Sequence, residues 1–309
     1  MKNSIILFCI LNALLLASRA VSDELLEIEV EGAALIGYQS APMSNPKSGE
    51  RFRGSDFIHP LKTPSGFTVT ELQPDDHLHH FGLWWPWKYV SKDGQKVPFW
   101  ELQSGKGRVE ARGAERTDNG FTATSAYTVQ AANGESEDWI SEKVKASVSS
   151  LVESPARGYF LDLEIAQSVI GEKSLEIVEY RYSGFSLRST PEWNRNNSMM
   201  LSSEGREHPQ SNLSRARWVL VQGPTGSGGK AGGLLMSHPT NPNHPEHLHT
   251  WDPGDRHGGV FVNFNPVQTQ SFVMRPGEPY VRRYRLFVFD GEIDAQVAER
   301  MWTEWRIVK

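Results

Sequence analysis

The chain is nearly free of cysteine: Cys9 is the only one among 309 residues, and it lies in an apolar stretch near the N-terminus. Thiol nucleophiles, thiolate-ligated metal sites and a disulfide framework are therefore excluded from everything beyond that stretch. Basic charge is not in excess, since 32 Lys and Arg stand against 37 Asp and Glu, for a net charge of −5. With no basic stripe either, no nucleic-acid partner is expected. Beyond residue 20 no segment approaches the roughly 18 consecutive apolar residues of a bilayer-spanning helix. Helical periodicity is also scarce. What the chain has is aromatic surface: 10 Trp, 14 Phe and 8 Tyr, more burial than a disordered chain carries.

Residues 1–20 read as a secretory signal peptide. Lys2 supplies the positive start, residues 5–17 the apolar run, and Ser18-Arg19-Ala20 the small residues before a cleavage point near Ala20. A secreted or periplasmic location follows as an expectation, with residues 21–309 as one domain. Strict alternation of apolar and polar residues predicts strands at Phe121 to Val129, Val144 to Val148, Tyr159 to Ile165 and Tyr180 to Tyr182. Further strands are predicted at Arg217 to Val221, Gly259 to Phe264 and Tyr284 to Phe289. Only residues 294–305 place Val297, Met301 and Trp302 at helical spacing, behind Asp294 as a cap. The fold class is thus all-β, a large antiparallel sandwich with a C-terminal helix. The glycine-rich stretch from Gly223 to Lys230 fails the phosphate-loop spacing, because Pro224 and Ala231 stand where Gly and Ser or Thr are required. It reads as a hairpin loop.

Histidine placement carries the functional signal. Eight of ten His fall in two windows: His77, His79 and His80 after Asp75-Asp76, and His238, His244, His247, His249 and His257 in a Pro-rich stretch. In extended chain His77 and His79 share a face, as do His247 and His249, and the two pairs meet if their loops share one end of the sandwich. His-x-His pairs near carboxylates suit a divalent transition metal, held by His77, His79, His247 and His249. The plainer alternative is a hydrogen-bonded structural role, with imidazoles tied to Asp76 and Asp252.

Tryptophan follows the first window at Trp84, Trp85, Trp87 and Trp100, and the second at Trp251. Core packing accounts for some of these rings. Trp84, Trp85 and Trp251 are the candidates for a platform on which the C–H face of a sugar stacks while its hydroxyls take hydrogen bonds. Arg188 and Arg206 are candidates for orienting such a ligand, and Glu204, before Gly205, for a base. Scattered charges of this kind are more often solvated surface.

The run Asp76-His77-Leu78-His79-His80-Phe81-Gly82-Leu83-Trp84 resembles the Asp-His-Pro-His-His-Arg-Gly-Leu-Trp pattern of the PmoA-like family, a bacterial family of unknown function. Leu78 replaces its Pro and Phe81 its Arg. The resemblance extends over roughly residues 50–292, through Phe99-Trp100, Gly184 to Arg188, Ser203-Glu204-Gly205, His238-Pro239 and Asp290-Gly291. It implies a supersandwich similar to galactose mutarotases. It does not imply a methane monooxygenase subunit, because that protein is multispan and no span follows residue 20 here. The leading expectation is a carbohydrate-active protein, of epimerase or lyase type, that moves a proton at a sugar carbon. His79 or His247 would be the acid and Glu204 or a second His the base. His77, His80, Trp84, Trp85, Arg188, Arg206 and Trp251 would bind the substrate, and no cofactor is required. The alternatives are a metal-dependent hydrolase or oxygenase, and a glycan-binding module without turnover.

Overall fold

A computed structural model describes residues 25–307, apart from 46–48, 132, 209 and 252–258. The signal-peptide expectation, Asp252 and His257 lie outside the described residues. Two eight-stranded antiparallel sheets dominate. In the first, the central neighbours run Ile58–Leu61, Leu83–Trp84, Phe185–Arg188, Phe261–Asn265 and Glu246–Thr250. In the second, Ser136–Val148, Gly158–Val169 and Tyr280–Asp290 are long neighbouring strands, each paired in register with the next.

Alternation explains how these strands make a sandwich. Leu83, Leu187, Val262 and Phe264 of the first sheet and Val144, Leu163, Val219 and Leu286 of the second are all buried in one shared core. At about 1.5–3 kcal/mol for each fully buried large apolar side chain, this core is the main driving term for folding. Phe185 stacks on Tyr284 across the core at 3.9 Å. One polar seam crosses it. The Tyr38 hydroxyl donates to Asp56, Ser125 bridges Asp56 and Glu142, and Glu142 accepts from Trp85 and Gln167. Burial, and then the Glu142 charge, push the Asp56 carboxyl up from its ordinary value.

The residues between the core-facing ones point to the outer faces, and both faces are covered. On the second sheet, Trp218, Leu220, Phe287 and Phe289 pack against the helix Ala295–Trp305 through Ala298, Met301, Trp302 and Trp305. Asp294 caps this helix by accepting from the Val297 N–H at 2.9 Å, as expected. On the first sheet, Trp84 and Phe261 join Phe57, Phe81, Trp100, Leu102 and Trp251 in a separate aromatic cluster. That cluster floors the candidate site.

The glycine-rich stretch is the hairpin between Trp218–Pro224 and Lys230–Ser237. The expected strand at Tyr180 to Tyr182 does not form. Tyr180 donates its N–H to the Val267 carbonyl and packs edge-on against Tyr182 at 4.8 Å, so the alternation there serves ring packing. No helix among the described residues is long and apolar enough to cross a membrane.

Candidate functional site

The first histidine window folds as two consecutive turns, not as extended chain. His77 N–H donates to the Pro74 carbonyl, and His80 N–H donates to that of His77. Turning rather than extending brings all three imidazoles together, with ring centroids 5.5 Å apart for His77 and His79, 4.6 Å for His77 and His80, and 5.0 Å for His79 and His80. Gly82 then releases the chain into the strand Leu83–Trp84. Its φ is +70°, and a Cβ there would stand 2.8 Å from the Ile58 carbonyl oxygen, so only glycine fits.

His80 is the innermost of the three, at 3% exposure, stacked on Phe261 at 5.0 Å and close to Trp84 at the same distance. Among the described residues its Nδ1 has no hydrogen-bond partner. Arg188, 5% exposed, anchors the loop from below. Its Nε donates to Glu71 at 2.9 Å and its Nη2 to both Asp76 oxygens, while its guanidinium lies 4.3 Å from the Trp251 ring centroid. Asp76 also lies 3.2 Å from His77 Nδ1. One buried cation therefore fixes the loop, its carboxylate and the neighbouring ring.

The second window splits. On the strand Glu246–Thr250, Glu246 and Leu248 turn inward, while His247 and His249 share the outer face as expected. His249 reaches the first window: together with His77, His79, His80, Trp100 and Trp251 it lines a cavity of about 360 Å³. Tyr182, Arg181 and Phe261 complete much of the wall. That volume falls at the lower end of the roughly 300–1,000 Å³ typical of small-molecule sites. His247 does not line it and stands opposite Arg215 and Asn265. His238 and His244 lie on the far side of the molecule, against Trp305 and Trp302 of the helix.

Several expectations are corrected by this placement. Trp85 is no platform: it alternates with Trp84 into the sandwich core, is 1% exposed and donates its indole N–H to Glu142. Glu204 and Arg206 sit in an exposed turn, where Glu204 pairs with Arg217 at 3.2 Å and Arg217 pairs with Glu299 of the helix. The base expected of Glu204 is thus spent in a surface network away from the cavity. The acid role expected of His79 does not suit its surroundings. Burial, then the His77 and Lys88 charges, push its pKa down to about 3, so it is neutral at physiological pH. His80 is lowered by burial and by the adjacent His79 in the same way. The proposed metal set of His77, His79, His247 and His249 is not assembled, since His247 stands apart from the cavity that the other three line. Among the described residues, no group of three or more His, Asp or Glu is placed to hold a metal.

Sequence reasoning missed the group of Lys88, Glu101 and Tyr182, of which Tyr182 lines the cavity. Lys88 is ion-paired with Glu101, which also accepts from the Tyr182 hydroxyl. Lys88 stands over the rings of Tyr89, Tyr180 and Tyr182 at 4.6, 5.1 and 5.3 Å. Burial, Arg181 and Lys96 lower its pKa to about 8. The recurrence of Tyr at 89, 180 and 182 was the available signal.

The chain belongs to a family of unknown function, DUF6807, which matches residues 25–303. No curated protein sequence matches it. Among solved structures it is similar to a doubly substituted GH36 alpha-galactosidase AgaA from Geobacillus stearothermophilus in complex with raffinose, at 10% identity and a TM-score of 0.38. It is also similar to the galactosidase domain of an alpha-galactosidase-sucrose kinase, AgaSK, at 7% identity and a TM-score of 0.36. Both alignments cover 87% of this chain and 41% of the other, so the chain spans about two fifths of their length.

Proposed function

We propose that the protein is an exported carbohydrate-binding protein of the PmoA-like type and that the cavity beside His80 is where the sugar sits. The observation that carries this reading is the convergence of four imidazoles with Trp100, Trp251 and Tyr182 on one open cavity. Aromatic faces match the C–H side of a pyranose, and neutral imidazoles give and take hydrogen bonds with its hydroxyls. Burial, and then the neighbouring imidazoles, hold His79 and His80 neutral, which suits recognition of hydroxyls better than an imidazolium would.

The chemistry proposed for the site is proton transfer at a sugar carbon, with the roles redistributed. His79, neutral and half-buried, is the acceptor. The Tyr182 hydroxyl already donates to Glu101, and burial raises its pKa, so the proton taken up by His79 is returned from the same imidazolium. A second reading, binding without turnover, is favoured by the low basicity of His79, because a base works best with a pKa near the working pH. His79→Gln separates the two. As a catalytic base its loss lowers turnover by roughly 10²-fold or more while sugar affinity stays within about tenfold. As a binding residue only, it changes affinity, and no turnover of any sugar is found in the wild-type protein.

A further inference from the structure

We propose that the sugar recognised in this cavity carries a carboxylate and that Arg181 receives it. The inference rests on the sugar-binding reading above and names the substrate class of that same site. Arg181 lines the cavity, is exposed, and has no carboxylate partner among the described residues; its guanidinium stands 5.4 Å from the Tyr182 ring centroid. No described lining residue is acidic. Among the described residues, the acids beside the lining loop and Tyr182 are already committed, Glu101 to Lys88 and Tyr182, and Asp76 and Glu71 to Arg188.

An unpaired polar atom of the wall points the same way. Trp100 Nε1 is buried without an acceptor among the described residues, and it is an obligate donor. A ligand rich in acceptors satisfies such walls, and a planar carboxylate matches the planar fork of an arginine in a two-point contact. Cations also stand close together here: after burial, Arg181 and then Lys96 lower the pKa of Lys88, whose ion-pair partner is Glu101. An anion placed among them relieves that repulsion. It also raises the basicity of His79, whose present surroundings leave it too weak a base to be efficient. Binding of the anionic substrate would thus prepare the base that acts on it.

The test is isothermal titration calorimetry on the mature chain with galacturonate, its methyl ester, galactose and galactose 6-sulfate, repeated on Arg181→Met. Arg181 is exposed, so the variant keeps its fold. The expected result is that galacturonate binds about tenfold or more tighter than its methyl ester, a difference typical of a charge-assisted contact. That gap closes in Arg181→Met and narrows in high salt. If galacturonate, ester and galactose bind alike, the carboxylate proposal falls while the sugar reading stands. Equal affinity for the 6-sulfate overturns the carboxylate as the recognised group. A gap that survives in Arg181→Met overturns Arg181 as its receptor. If none of the four binds, the sugar reading itself falls, and this proposal with it.

Discussion

The molecule contains two places where histidine meets tryptophan, and they are built differently. Beside the C-terminal helix, His244 stacks on Trp302 with planes 2° apart and its Nδ1 lies 3.2 Å from Ser237 Oγ, while His238 Nδ1 lies 2.8 Å from Thr240 Oγ1. The indoles there are satisfied as well, Trp302 donating to the Ser237 carbonyl and Trp218 to Glu299. Beside the first sheet, His80 Nδ1 and the indole nitrogens of Trp84 and Trp100 have no partner among the described residues, and the open cavity lined by His80 and Trp100 lies there. The same residue types thus make a joint whose His238 and His244 Nδ1 atoms and Trp302 and Trp218 indoles are hydrogen-bonded in one region, and an unfinished surface in the other. Buried polar groups left unpaired cost about 1–3 kcal/mol each, a cost retained where a ligand or ordered water supplies the missing bond.

Acid should strain both regions and produce the largest effect. Burial lowers His59, His208 and His244 to about 4 and His79 to about 3, and His80 shifts in the same direction. The unfolded chain then binds more protons than the folded one from about pH 6.5 downward, so stability falls as pH drops. The loss continues until each folded value is reached. Asp56 and Glu246, shifted upward mainly by burial, oppose this but are outnumbered. Denaturant titrations between pH 7 and pH 4 should show a net loss on the order of several kcal/mol. A flat profile would mean that the imidazoles are not buried as described.

Single substitutions divide the regions more sharply. Trp302→Ala should cost about 3–5 kcal/mol as a large core truncation, yet leave sugar affinity of the folded fraction unchanged. Arg188→Met should cost a comparable 3–5 kcal/mol by stranding Asp76 and Glu71, and in addition it should weaken sugar binding, because the loop bearing His77 to His80 loses its anchor. Melting curves paired with calorimetry read both quantities. Affinity that tracks stability equally in the two variants would dissolve the distinction. The smallest effect is Asp294→Ala, which should remove only about 1 kcal/mol of helix capping and nothing from the cavity.

Most of the expected strands, though not Tyr180 to Tyr182, and the terminal helix were legible in the sequence because alternation and capping are local signals. The helix even buries the expected Met301 and Trp302. The separation of Trp84 from Trp85 was not legible: period 2 says that they part, but only the packing of the sheets says which one faces the core. The three-histidine turn was hidden for a related reason. Turns at Pro74 and His77 reverse the chain, and side chains that extended backbone would hold apart then converge. Glu204 misled because a carboxylate before glycine looks the same whether its partner is a ligand or Arg217. Lys88, Glu101 and Tyr182 meet only through contacts between residues distant in sequence, which no local pattern encodes.

The central claim is that the unfinished histidine–tryptophan surface is the binding site. A crystal structure of the protein soaked with galactose and galacturonate tests it most directly. The account predicts electron density for a sugar ring between His80, His249 and Trp251, with ring atoms in contact with an indole and hydroxyls on imidazole nitrogens. Density confined to the groove beside Trp302 and Trp305, with that cavity empty in every soak, would contradict it.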